Sequence, residues 1–308
     1  MKILGFAVGL LALCSCATPA LAQQPAPPSS VETKDVTWAK HPGLDLLASI
    51  YRDPKAPKTP QPVLIDIHGG AWGSGDRTND RLYATELAKT GLTVISFDFR
   101  QAPAYQHPAS SMDVAAAVRY VRLNAKSLNA DPDRIGLIGS SSGGHLALLA
   151  ALRPDAPQHK GTPILGPDGA YSAHDDISAE VDYVVAMWPV SDPAARYRYA
   201  RRASMPRLPE MSLNYFKDEA GMWDASIPRI VTAGEAKTLP PILVVQPGDD
   251  SNIPQDMTFD LMRAWQARGG KLDYVFYPGQ PHAFGHRPSE ATTDLIRTIA
   301  AFIARQKG

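Results

Sequence analysis

The chain has 308 residues, 44% of them hydrophobic, enough for one large buried core in a single α/β domain. Its 31 lysines and arginines balance 31 aspartates and glutamates, so no net field favours nucleic acid or an anionic membrane surface as a partner. No phosphate-cradling P-loop, dinucleotide fingerprint or zinc-ligand spacing is present, and no cofactor is expected.

At the N-terminus Lys2 gives a positive start, residues 3–13 form an apolar run, and Ala20-Leu21-Ala22 supplies a small-x-small cleavage site. This pattern predicts a secretory signal peptide over residues 1–22, cut after Ala22, and export to the periplasm or the medium. The run is too short for a stable membrane span. Both cysteines, Cys14 and Cys16, fall inside it, so the mature chain is expected to hold no disulfide. Leu13-Cys14-Ser15-Cys16 is an imperfect bacterial lipobox, and a lipoprotein acylated at Cys16 is the less favoured alternative. Residues 23–34, rich in Gln, Pro and Ser, read as a flexible linker, with the folded domain over 35–308.

Residues 35–38 and 46–51 read as a pair of edge strands. Apolar runs at 63–67, 93–97, 135–138, 181–187, 242–246 and 272–277 read as buried strands. They alternate with helical patterns at 80–89, 111–124, 144–152, 255–268 and 289–305. This alternation predicts an α/β fold: a mostly parallel eight-stranded sheet with helices on both faces. Two segments interrupt it. Residues 153–180 are rich in Pro, Gly and His, and residues 193–237 carry Arg196, Arg198, Arg201, Arg202 and Arg207 among Tyr197, Tyr199, Tyr215, Phe216 and Trp223. Insertions of this length are expected to form a cap. The arginines read first as a solvated face of that cap, with recognition of a substrate carboxylate or phenolate as the alternative.

The chemistry concentrates at the ends of the strands, where open α/β sheets place their ligands. After strand 135–138 comes Gly139-Ser140-Ser141-Ser142-Gly143, a G-x-S-x-G pattern with Ser141 at its centre. Strand 63–67 runs into His68-Gly69-Gly70-Ala71-Trp72, a Gly-rich turn whose backbone amides can approach an oxyanion. Gly70, with Gly69 or Ala71, and the Ser142 amide are the candidate donors. His68 itself reads as a loop-ordering residue. Strand 242–246 leads to adjacent carboxylates, Asp249 and Asp250, either of which could orient an imidazole. The last strand leads to His282 on a Pro/Gly-rich loop, with His286 a less favoured base and Asp192 a remote alternative acid. Serine before acid before histidine is the chain order of α/β-hydrolases.

With these motifs, the chain over about residues 61–304 resembles α/β-hydrolases of the hormone-sensitive-lipase-like carboxylesterase group and their acetyl- and feruloyl-esterase relatives. Phe97-Asp98-Phe99-Arg100-Gln101-Ala102-Pro103, His107 to Asp113 and Asp131 to Ile135 fall where that group has its supporting segments. The resemblance implies the α/β-hydrolase fold and a catalytic triad of Ser141, Asp250 and His282, with an oxyanion hole at Gly69, Gly70 and Ser142. It is the register of the acid turn in that group that selects Asp250 over Asp249. The implied activity is hydrolysis of short-chain or aryl carboxylic esters, with a small-molecule or polysaccharide-linked ester as substrate. Ala71, Ser142 and Gln246 depart from the usual pattern. The H-G-G-x-W form also resembles kynurenine formamidases, which makes an amidase the alternative activity. A non-catalytic binding protein on the same scaffold is a further reading, disfavoured because all three triad side chains are present.

Overall fold

In the computed structural model, which describes residues 30–306, the chain opens with an antiparallel hairpin of β1 (Glu32–His41) and β2 (Leu44–Arg52). The expected signal peptide lies outside the described residues. β1 starts earlier than its sequence pattern shows. Glu32 pairs with Arg52 and Lys34 with Ile50, so residues 32–34 belong to the sheet and not to a linker. There follow β3 (Gln61–Ile67), α1 (Arg81–Ala88), β4 (Thr93–Phe97), α2 (Ala109–Leu123), β5 (Ala130–Ser140) and α3 (Ser142–Leu152). The second half holds β6 (Ile164–Leu165), β7 (Tyr171–Ser172), β8 (Tyr183–Met187), the helices α4 (Pro193–Arg202), α5 (Arg207–Phe216), α6 (Glu219–Asp224) and α7 (Ile227–Ala233), then β9 (Ile242–Asp249), α8 (Gln255–Ala267), β10 (Leu272–Pro281) and α9 (Glu290–Arg305).

The strands form one sheet in the order β10-β9-β8-β5-β3-β4-β2-β1-β6-β7, ten strands where eight were expected. β4, β3, β5, β8, β9 and β10 run parallel. The apolar runs of β4, β3, β5, β8 and β9 are nearly unbroken because helices cover both faces, whereas β10, expected as a buried strand over 272–277, is the edge strand, with Tyr277 its one buried residue. Val63, Ile65 and Ile67 face the cluster shared with α2, α3 and α8, whereas Leu64 faces the one shared with α1 and α9. α3 is apolar on every side and buried along its whole length. This is the α/β-hydrolase fold.

The two extra strands come from residues 153–180, a segment expected in the cap. β6 pairs with β1 and β7 with β6, which extends the sheet edge far from the carboxyl end of β5. Arg119 on α2 fixes the segment there: its guanidinium donates to the carbonyls of Pro154, His159 and Ile177 and pairs with Asp155. Residues 193–237 do lie over the sheet's carboxyl end, as the four short helices α4 to α7. The excursion is closed at its base, where the Ile227 amide donates to the Ser191 carbonyl at 2.9 Å. Among the described residues, no helix is long and apolar enough to cross a membrane.

Candidate active site

The turn from β5 into α3 places Ser141 at φ 55° and ψ −117°, a left-handed conformation that a non-glycine residue holds only under constraint. The constraint is visible. The Ser141 amide donates to Met187 O at 2.9 Å, and its carbonyl accepts from His145 N and Val190 N. The flanking glycines are required by space: a Cβ on Gly143 would lie 2.0 Å from Ile67 O, and one on Gly139 would lie 2.4 Å from Gly143 O. The strand, the turn and the helix therefore interlock with the end of β3, and the hydroxyl projects from the turn.

His282 follows β10, whose register against β9 shifts after Tyr277, so the loop folds back over the neighbouring strand ends. Ser141 Oγ lies 3.1 Å from His282 Nε2, and His282 Nδ1 lies 2.8 Å from Asp250 Oδ2. The other Asp250 oxygen accepts from the amides of Asn252 and Ile253, both at 2.8 Å, which locks the carboxylate with its side chain 1% exposed. Asp249, at the end of β9, is exposed. Asp192 caps α4 by accepting from Ala195 N. His286 stands near Asp80, with Nε2 2.9 Å from Oδ1 of that buried carboxylate, and has no contact with Ser141. The geometry thus joins Ser141, His282 and Asp250 and leaves the alternatives out of this line, although His286 lines the same cavity. A hydroxyl, an imidazole and a carboxylate in this line can pass a proton from the serine to the histidine and steady the resulting cation.

The Gly-rich turn after β3 lies against the serine. A Cβ on Gly69 would come within 3.3 Å of Ser141 Cβ. Gly70, Ala71 and Trp72 are all left-handed, at φ 119°, 50° and 62°, which turns this stretch of backbone toward the cavity. Ser142 is the first residue of α3, where an amide has no partner within its own helix. Its hydroxyl accepts from Trp72 N at 3.2 Å and so binds the two loops together, which gives the unusual serine a task. His68 keeps to a structural role: Nδ1 donates to Gly69 O at 2.7 Å, the ring stacks on Phe99 at 4.3 Å, and burial lowers its pKa.

Trp72 extends this framework into the helices above. Its Nε1 donates to His145 Nδ1 at 3.3 Å, which leaves His145 Nε2–H to donate to Ala225 O at 2.9 Å. Burial pushes the His145 pKa down to about 3, so the ring is neutral and its tautomer fixed. The Trp72 ring stacks on Tyr215 of α5 at an interplanar angle of 3°. Gln246 is likewise structural, accepting from Thr258 Oγ1 and so joining β9 to α8.

A cavity of about 370 Å³ opens above the serine, walled by Gly69, Gly70, Ala71, Ser141 and His282 below and by Arg196, Leu208 and Met211 above. None of residues 153–180 reaches it. Arg198, Arg201, Arg202 and Arg207 are exposed, as expected of a solvated face. Arg196 corrects that reading, since it is only 1% exposed and lies in the cavity wall. The signal was helical spacing: Pro193, Arg196, Tyr197 and Ala200 form the inner stripe of α4. Asn252, Trp188, Arg207 and His286 also line the wall. Among the described residues, no group of three or more His, Cys, Asp or Glu side chains is placed to hold a metal ion.

Comparison with known proteins follows the same lines. The family model described as BD-FAE matches residues 49–264. Esterase LipC of Mycobacterium tuberculosis is 27% identical over 83% of this chain, and the chain spans 61% of the length of LipC. Versiconal hemiacetal acetate esterase of Dothistroma septosporum is 27% identical over 92% of this chain and 85% of its own. Among solved structures, the hyperthermophilic esterase of the archaeon Pyrobaculum calidifontis superposes with a TM-score of 0.69 at 23% identity, covering 90% of this chain and 86% of its own, a likeness of fold.

Proposed function

The chain belongs to the BD-FAE family, and on that premise we propose that it is a serine carboxylesterase acting on short-chain or aryl esters. One observation carries the assignment of roles: the unbroken line from Asp250 to His282 to Ser141, with contacts of 2.8 and 3.1 Å, in the wall of a cavity. Ser141 Oγ attacks the ester carbonyl carbon as His282 Nε2 takes the hydroxyl proton. Asp250 accepts from His282 Nδ1–H, which fixes the tautomer and stabilises the imidazolium. The amides of Gly70 and Ser142 donate to the tetrahedral oxyanion, and Gly69 leaves the space for it. The imidazolium then protonates the departing alkoxide, leaving an acyl-serine. Water attacks that acyl group as His282 takes its proton, and the carboxylic acid is released. The cavity volume of about 370 Å³ supports small acyl and aryl groups over long chains.

The test is hydrolysis of p-nitrophenyl esters from acetate to palmitate by the mature protein beside Ser141→Ala. Activity should peak at short chains and fall roughly 10⁴- to 10⁶-fold in kcat in the variant. Near-normal turnover by Ser141→Ala would falsify the assignment. Residues 1–22 are further read as an export signal, which predicts a mature N-terminus at Gln23 in protein recovered from outside the cytoplasm. An uncut N-terminus there would refute it.

A further inference from the structure

Arg196, the most deeply buried arginine of the described residues, is placed unlike Arg100 and Arg119. Arg100 holds Asp113 at 2.7 Å and Arg119 holds Asp155 at 3.2 Å. The Arg196 guanidinium meets neutral acceptors only: NH1 donates to Asn252 Oδ1 and NH2 to Ser212 Oγ, each at 3.1 Å. Its Nε has no protein partner, and no carboxylate of the described residues forms an ion pair with it. The side chain is 1% exposed and packs over the Trp72 ring at 5.3 Å. Burial pushes its pKa down to about 10, which leaves it a cation at neutral pH. The cavity wall around it holds a second arginine, Arg207, at the rim, and no Asp or Glu.

Burying a charge without a counter-charge is unfavourable, and the arrangement is most economical where a ligand supplies the missing anion. A planar guanidinium with donors left over matches a carboxylate. We propose that Arg196 is a recognition residue for a carboxylate carried by the ester substrate, so that the preferred substrates are half-esters of dicarboxylic acids or esters of carboxylate-bearing phenols. The proposal rests on the esterase reading above and adds the substrate class. A guanidinium that instead stabilised the oxyanion would serve neutral and anionic esters equally, which separates the two roles.

The experiment compares kcat/KM for two matched pairs. In one the carboxylate is on the acyl side (mono-4-nitrophenyl glutarate against 4-nitrophenyl pentanoate). In the other it is on the alcohol side (4-acetoxybenzoate against 4-acetoxybenzamide). The wild type should favour the anionic member of at least one pair by about tenfold or more, and the pair that responds identifies which half of the ester Arg196 holds. In Arg196→Met the anionic-to-neutral ratio of kcat/KM should fall to about unity, with Arg196→Lys intermediate. A preference absent from both wild-type pairs, or surviving in Arg196→Met because both members fall in parallel, would overturn the proposal. A second measurement needs no variant: glutarate or 4-hydroxybenzoate should compete with substrate at about tenfold lower concentration than the corresponding amide, and equal competition overturns the proposal. Absence of turnover on every ester would overturn the esterase reading and this inference with it. Neutral-ester turnover without charge preference would overturn this inference alone.

Discussion

At the scale of single residues, the site depends on side chains that are already held before a substrate arrives. Asp250 spends one oxygen on two backbone amides and the other on His282, so the imidazole is aimed by a carboxylate that is itself fixed. Asp250→Asn should therefore lower kcat by about 10⁴-fold, because the amide presents the wrong partner to Nδ1–H. Asp249→Asn, at an exposed position, should stay within about twofold of wild type. Equal losses from both variants in a steady-state assay would move the acid's role away from Asp250. Both serine and histidine were legible from the sequence, since each follows a strand run, buried in β5 and at the sheet edge in β10. The choice between adjacent aspartates was not legible from spacing. It turns on which carboxylate the loop directs inward, a property of backbone direction beyond the end of β9.

At the scale of elements, legibility followed length and apolar content. The inner strands of the sheet and the five long helices announce themselves, because each must bury a face or a stripe for its whole length. β6 and β7, of two residues each, carry no pattern, and α6 and α7, of six and seven, are too short for one to accumulate. Residues 153–180 were misplaced for that reason. Their position is set by partners elsewhere, chiefly Arg119 and Arg122 of α2 and the pairing with β1, and not by their own composition. Arg119→Met should cost about 2–4 kcal/mol, since three buried carbonyls lose their donor. It should also open residues 153–180 to limited proteolysis while leaving ester kcat/KM within about twofold, because the segment does not reach the cavity. A matching loss of activity would show that this edge and the site are coupled.

At the scale of the whole molecule, buried histidines shape the response to acid. Burial pushes His145 down to about 3, and His107 and His159 each to about 4. The unfolded chain takes up these protons near pH 6.5, whereas the folded chain resists them until pH 3 to 4. Their contribution to stability is therefore full above about pH 6.5 and is lost as pH falls toward 4, with roughly 4 kcal/mol at stake for His145 alone. Asp66 has the opposite sign. Burial and the neighbouring Asp80 raise its carboxyl pKa, so its contribution is present at low pH and is lost as pH rises through the raised value. Thermal unfolding between pH 8 and 4 should show a steep acid slope, and His145→Gln should be penalised less at pH 4 than at pH 8. Parallel profiles for the two proteins would remove His145 from this account.

The hydrogen bond between Ile227 N and Ser191 O has a consequence for how such a molecule can change. Residues 192–226 depart at Ser191 and come back to it across one hydrogen bond, before α7 leads on to β9, so the excursion is a module with a fixed socket. Ser141, Asp250 and His282 all lie outside it. The entropic cost of closing a loop grows only slowly with its length, so exchange for a longer or shorter excursion leaves the ends where they are. Arg196 is inside the module, four residues past the capping Asp192 and one turn into α4. On the roles proposed for Arg196 and the triad, substrate preference and bond breaking sit on separable pieces of chain, so the first can be exchanged without rebuilding the second.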